Sequence, residues 1–140
     1  MKVYKLLGLF ILLMQSAYAS SRLDELRNNY SLIFIFQSTC PHCQQLAPVV
    51  HDFAHTFQIE LKAYSLDGQT LDSFAVQALP ADLFQSLYVV GGFKTVVPAL
   101  FLMNRHTLQT YAVLFGEAQP YQLANRINEL MQHIEESVYD

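Results

Sequence analysis

The 140-residue chain has few cysteines and few basic residues. It contains two cysteines, and eight lysine and arginine residues against twelve acidic ones. With 52% hydrophobic residues, a real core is attainable without structural disulfides. The formal net charge of −4 argues against nucleic acid and anionic membrane surfaces as partners. Internal repeats, low-complexity tracts and linkers rich in proline, glycine or serine are missing too, so we expect one small domain.

A long hydrophobic run is also missing at the amino terminus. Lys2 and Lys5 precede nine apolar residues, Leu6 to Met14, whereas a helix that spans a bilayer needs about 20. Small residues at Ala17 and Ala19 are typical of a cleavage site. We therefore predict a cleavable signal peptide at residues 1–19, a domain at residues 20–140, and a periplasmic protein without stable membrane insertion.

The two cysteines lie in the tetrapeptide Cys40-Pro41-His42-Cys43, between an apolar run and a helix-like stretch. Pro41 suits the first helical position, where a missing N–H costs nothing. Cys40 would then cap the helix, where free N–H groups and the helix dipole stabilise a thiolate. A charged His42 would favour that thiolate further, and Cys43 would lie one turn inside the helix. The arrangement resembles the redox motif of thioredoxin-like proteins.

The order of the predicted elements supports the same fold class. Apolar patterns predict strands at residues 32–37, 59–66, 99–103 and 108–114, and helices at residues 41–57, 81–88 and 121–137. Residues 21–30 read as a short helix or arm. We therefore predict an α/β, thioredoxin-like fold: a central mixed sheet flanked by helices, without a large insertion. Its usual first strand would be absent or supplied by the arm.

Val97-Pro98 is the second candidate for function. A proline ahead of a strand is ordinarily a turn or edge residue. In thioredoxin-like folds, however, the loop before the third long strand carries a cis-proline that faces the cysteines, and Pro98 falls there. A cis X–Pro bond costs only about 0.5–1 kcal/mol. We predict that it is cis and that the Val97 backbone binds an extended substrate.

Several further segments resemble the TrbB-type thiol–disulfide isomerases of F-type conjugative transfer systems, within the thioredoxin superfamily. The resemblance covers residues 32–131 and rests on four segments: Ala63 to Gln69, Ala78 to Pro80, Pro98 to Leu102 and Asn104 to Leu108. It implies a periplasmic enzyme that forms or reshuffles disulfides in secretion and pilus-assembly components. The implied partners are cysteine-containing exported clients and a membrane or periplasmic redox partner.

One departure from the superfamily bears on mechanism. Many thioredoxin-fold enzymes bury a carboxylate six residues before the first cysteine, and here that position is Phe34. Proton transfer would then use water, His42 or a distant acid, with Glu60 and Asp67 as weak candidates. Loss of a buried negative charge should also favour the Cys40 thiolate and make the pair more oxidising.

Two other patterns favour ordinary structural explanations. His51 and His55 follow the cysteines with spacings that imitate zinc motifs, but His55 would lie about 18 Å along the helix from Cys43. We therefore expect no metal or other cofactor, and solvated histidines on the helix surface. The apolar residues from Tyr88 to Phe93 fit core packing, or an apolar rim that receives unfolded clients.

The sequence thus predicts a thiol–disulfide oxidoreductase or isomerase. Cys40 would attack the client sulfur, Cys43 would resolve the mixed disulfide, and His42 and Pro41 would tune the thiolate. A different class stays open: a non-catalytic assembly factor or chaperone for secretion-system proteins, whose cysteines form a static disulfide. Solvent reactivity of Cys40 would separate the two.

Overall fold

Strand β1 forms the centre of the fold because each of its seven residues is buried. In the computed structural model, residues 21–71, 74–75 and 77–139 are described. The predicted signal peptide lies outside them. Within these ranges no helix is both long and apolar enough to cross a membrane. The elements in chain order are α1 (residues 21–29), β1 (Tyr30–Phe36), α2 (Pro41–Phe57), β2 (Glu60–Ser65), α3 (Ala81–Phe84), a π-helical turn (Gln85–Val90), β3 (Ala99–Asn104), β4 (Thr110–Phe115) and α4 (Pro120–Val138).

The four strands form one mixed sheet in the order β2-β1-β3-β4. β1 runs parallel to β2, with Phe34 opposite Ala63, and antiparallel to β3, with Phe34 opposite Leu100. β3 and β4 are antiparallel. At one end of the sheet, the carboxyl ends of β1 and β2 therefore lie beside the start of β3 and the end of β4. The cysteine motif and Val97-Pro98 both lie at this end of the sheet.

Successive side chains of β1 point to opposite faces and build two cores. One face packs Leu32, Phe34 and Phe36 against α1, α2 and α4. The other packs Ile33 and Ile35 against the π-helical turn through Leu87 and Tyr88. The predicted mixed sheet flanked by helices is thus confirmed, and the arm is helical, so the described residues contain no strand before β1.

The segment before β4 and the helix predicted at 81–88 differ from the prediction in kind, whereas the other boundaries shift by one or two residues at most. Residues 108–109 precede β4 instead of opening it, because the Asn104 side chain accepts the N–H groups of His106 and Thr107, and Leu108 adopts a positive φ of 62°. The predicted helix at 81–88 is α-helical only to Phe84 and then widens into the π-helical turn. Gly91 permits that widening, since a Cβ there would lie 2.5 Å from the Leu87 carbonyl oxygen.

Candidate active site

The cysteine motif begins at the amino end of α2, directly after the central strand. Cys40 is the N-cap residue, with φ −82° and ψ 113°, and its Sγ accepts the Cys43 N–H at 3.2 Å. Pro41 occupies the first turn as predicted, because that position needs no donor. One orphan N–H of the helix therefore points at the Cys40 sulfur, together with the positive end of the helix dipole.

The two thiols differ in exposure. Both are free; Cys43 is fully buried, whereas Cys40 is partly accessible. Burial, with a smaller contribution from the Cys40 side chain, raises the pKa of Cys43 to about 12. Beneath them Phe34 is fully buried, with its ring 5.5 Å from the rings of both Phe36 and Phe74. The buried-carboxylate position is thus filled by an aromatic cluster.

The Val97–Pro98 peptide bond is cis, which confirms the prediction of its geometry. The Val97 carbonyl oxygen lies 4.0 Å from Cys40 Sγ, and Pro98 is buried. The Pro98 carbonyl accepts the Gly116 N–H at 3.1 Å, which ties this loop to the loop between β4 and α4. In the described part of the chain, the Val97 N–H and carbonyl join no backbone–backbone hydrogen bond. The role of Val97 and Pro98 in binding stays a prediction.

His42 has a partner that the sequence analysis missed. Its Nδ1 lies 2.6 Å from Oε1 of Glu117, although 75 residues separate them in the chain. Both side chains are at the surface, with 68% and 50% of their area exposed. Glu117 follows β4, and β4 ends at the edge where α2 begins. No local pattern around Glu117 marks it, and only the fold brings the two residues together.

Asp67 holds the loop before the cysteines. Its Oδ2 accepts the N–H of Ser38 at 3.0 Å and the hydroxyl of the same residue at 2.5 Å. Its Oδ1 accepts the Ser65 hydroxyl at 2.8 Å and the Gln69 N–H at 3.1 Å. These bonds, led by the Ser38 hydroxyl, lower the pKa of Asp67 to about 2. The lowered pKa makes Asp67 a poor proton carrier, which argues against the suggested role in proton transfer.

Glu60 is too distant for proton transfer as well. It opens β2, whereas the cysteines follow the carboxyl end of the neighbouring parallel strand. Five residues of strand separate the two ends, about 16 Å. Its carboxylate instead lies 3.8 Å from Arg105 Nη1. Glu60 therefore does not reach Cys43.

The remaining candidates fall outside this site. His51 and His55 lie on exposed positions of α2 with their rings stacked at 6.4 Å. Among the described residues, no group of three or more His, Cys, Asp or Glu side chains could hold a metal ion. Tyr88 is buried and belongs to the core, whereas Val89 and Val90 are 63% and 80% exposed. Core packing therefore holds for Tyr88, and a role of Val89 and Val90 in receiving clients stays a prediction.

Comparison with known proteins agrees with the architecture. The chain is similar to a thiol:disulfide interchange protein DsbE of Chlorobium tepidum, with a TM-score of 0.52, 20% identity, and coverage of 78% of this chain and 84% of that one. It is similar to the thioredoxin domain of a thiol–disulfide oxidoreductase of Bacteroides vulgatus, with a TM-score of 0.51, 15% identity and the same coverages. At these identities the likeness defines the class by fold: the protein is thioredoxin-like.

Sequence comparison identifies the family within this fold class. Residues 12–128 match the family described as "TraF: F plasmid transfer operon protein", and the chain belongs to that family. It is 27% identical over 106 residues to the protein TrbB of Escherichia coli strain K12, a match that covers 74% of this chain. The chain spans 57% of the length of TrbB.

Proposed function

We propose that the protein is a periplasmic thiol–disulfide oxidoreductase and isomerase that forms or reshuffles disulfides in exported proteins of a conjugative pilus or type IV secretion system. Membership in the F plasmid transfer family and similarity to TrbB support the setting. The signal-peptide pattern of residues 1–19 supports export. An oxidising compartment also lets a dithiol pair exchange with its clients.

The observation that carries the proposal is the contrast between the two cysteines. Cys40 Sγ is partly accessible, accepts a backbone N–H at the start of α2 and lies 4.0 Å from the Val97 carbonyl. Cys43 is buried, with its pKa raised to about 12. The thiolate is the nucleophile in disulfide exchange. This contrast supports attack by Cys40 and resolution by Cys43.

In the oxidising direction the pair begins as a Cys40–Cys43 disulfide. A client thiolate attacks Cys40 Sγ, the bond between the two cysteines breaks, and Cys43 leaves as a thiolate that takes up a proton. A second client thiolate then attacks the client sulfur of the mixed disulfide and releases Cys40 as a thiolate. The client loses two electrons and the cysteine pair gains two.

In the isomerising direction the pair begins reduced. The Cys40 thiolate attacks a client disulfide and releases one client thiolate. The released thiolate attacks a second disulfide of the client and frees another client thiolate. That thiolate attacks the client sulfur of the mixed disulfide and releases Cys40 as a thiolate, so no net oxidation occurs. If the client stalls, Cys43 attacks Cys40 Sγ, closes the disulfide and releases the client reduced. A redox partner in the membrane or periplasm would then decide which direction dominates.

The Val97 segment provides a surface for the client backbone. The Val97 carbonyl oxygen lies 4.0 Å from the Cys40 sulfur, and among the described residues neither it nor the Val97 N–H has a backbone partner, so an extended client segment can pair with them. Val96, the preceding residue, is 42% exposed and offers apolar contact. Incompletely folded clients present the extended, apolar chain that such an edge binds.

Trapping of the mixed disulfide tests this proposal. The Cys43→Ser variant should form a stable one-to-one adduct with a glutathione disulfide probe, seen by intact mass, because Cys40 attacks and nothing resolves it. Cys40→Ser is the matched control and should form almost none. Wild type should also speed the recovery of activity of a scrambled disulfide protein, and Cys40→Ser should not. If Cys43→Ser forms no adduct, Cys40 is not a working nucleophile, and the static assembly factor is the better description.

A further inference from the structure

The contact between His42 and Glu117 lies beside the reactive sulfur and joins two walls of the site. His42 is the second helical residue of α2, two positions after Cys40. Glu117 directly follows Gly116, whose N–H donates to the Pro98 carbonyl. The backbone next to Glu117 is thus fixed against the cis-proline loop. His42 Nδ1 meets this carboxylate at 2.6 Å.

The pair contributes little to folding but restrains the imidazole. Both side chains are at least half exposed, and ion pairs of this kind add little to stability. An imidazolium at the start of α2 would add its positive field to that of the helix dipole at Cys40 if it were free to turn toward the sulfur. With Glu117 Oε1 2.6 Å from Nδ1, a protonated imidazole forms a salt bridge with the carboxylate and is held toward Glu117.

We propose that Glu117 is a positioning residue that sets, through His42, how strongly the Cys40 thiolate is stabilised and hence how oxidising the cysteine pair is. The inference rests on the proposed function, since it concerns the redox poise of that same pair. It differs from the expectation that His42 alone tunes the thiolate. In this account the redox equilibrium of the cysteine pair depends on two residues, His42 and Glu117, and Glu117 lies in the loop between β4 and α4.

A double-mutant cycle in glutathione buffers tests the coupling. The measured quantity is the equilibrium constant for reduction of the protein by glutathione, at about pH 6, where an ordinary imidazole is mostly charged. Glu117→Gln should raise it about three- to tenfold, because the His42 imidazolium is no longer held by the carboxylate and can turn toward the Cys40 thiolate. That change corresponds to roughly 15–30 mV. Glu117→Lys should move it further in the same direction, and His42→Ser should lower it.

Coupling through His42 gives the decisive result. In the His42→Ser background, Glu117→Gln should change the constant by less than about twofold, since an exposed lone carboxylate is screened. The matched control is Glu129→Gln, which removes the same charge on α4, about 14 Å along the helix from its start, and should have no effect. In ~1 M salt the increase in this equilibrium constant caused by Glu117→Gln should be smaller.

Two results would overturn the inference. One is a Glu117→Gln constant equal to that of wild type. The other is an equal shift with and without His42, which would mean that Glu117 acts on the sulfur directly. A wild-type protein that does not equilibrate with glutathione at all would instead overturn the proposed function, and the inference with it. Thermal melts of each variant show that the compared proteins are folded.

Discussion

The difference in reactivity between the two thiols can be worked out from the structure. At pH ~7.5, a free cysteine with a pKa near 8.5 is about one-tenth thiolate. A thiol whose pKa is raised to about 12, as for Cys43, is thiolate in roughly three molecules per 100,000. Since alkylating reagents attack the thiolate, Cys43 should react on the order of a thousandfold more slowly than a free cysteine.

The Cys40→Ser variant isolates that slow thiol. It removes the contribution of the Cys40 side chain to the Cys43 pKa, but burial, the larger cause, remains. We therefore expect alkylation of reduced Cys40→Ser by iodoacetamide, followed by mass spectrometry, to be at least about a hundredfold slower than for a free cysteine. Cys43→Ser should react rapidly, because its single thiol lies partly exposed at the helix start.

Unfolding provides the internal reference for this assay. In concentrated urea both single-cysteine variants should react at the rate of a free cysteine, so any difference between them in buffer comes from the fold. If native Cys40→Ser reacts within about tenfold of its unfolded rate, Cys43 is not shielded as described. The assignment of nucleophile and resolving cysteine would then be refuted.

Three further predictions concern stability. The pKa of Asp67 is lowered to about 2 in the folded protein, so the ionised carboxylate stabilises the fold above the unfolded pKa near 4, and this stabilisation is lost as pH falls toward 2. Asp67→Asn should therefore lower the melting temperature at pH ~7. In a plot of melting temperature against pH, the variant should also show a shallower decline on the acid side. The pKa of Cys43 is raised, so folding keeps its thiol protonated, and the reduced protein should lose this stability as pH rises from about 8.5 toward 12. In urea titrations, reduced Cys43→Ala should lack the loss that comes from Cys43. Gly91→Ala places a Cβ 2.5 Å from the Leu87 carbonyl oxygen and should lower the free energy of unfolding by about 1–3 kcal/mol in the same titrations. An unchanged urea midpoint would contradict that crowding.

Local spacing carried most of what could be predicted. The helix start at Pro41 followed from a missing donor, and the cap position of Cys40 followed from Pro41. β1 was recognisable because its residues are almost continuously apolar, and every one of them is buried. The cis bond at Val97-Pro98 was predicted from its place in the order of elements. Apart from the cis bond, each of these signals lies within a few residues of the feature that it predicts.

Contacts between distant segments could not be predicted. Glu117 and His42 are 75 residues apart, and Asp67 and Ser38 are 29 apart. Each acid follows a strand that ends at the same end of the sheet as β1, and the strand order determines on which side of the cysteine motif it lies. Asp67 follows β2 on one flank and Glu117 follows β4 on the other. Neither has a local sequence signal, because an acidic residue after a strand is ordinary on any surface.

The absence of a buried acid at Phe34 changes the proton chemistry of the proposed resolving step. Cys43 has to lose its proton before it can attack, and the side-chain and backbone groups that shift its pKa by hydrogen bonding, Cys40 and Gln37 among them, include no carboxylate. Asp67 stays ionised but is occupied by Ser38 and Ser65. The proton would leave toward water, His42 or the departing client sulfur. We expect deprotonation of Cys43 to limit resolution, so the mixed disulfide on Cys40 would persist and a client would have time to attack its own sulfurs. That order of rates would favour the proposed reshuffling of client disulfides over their simple reduction.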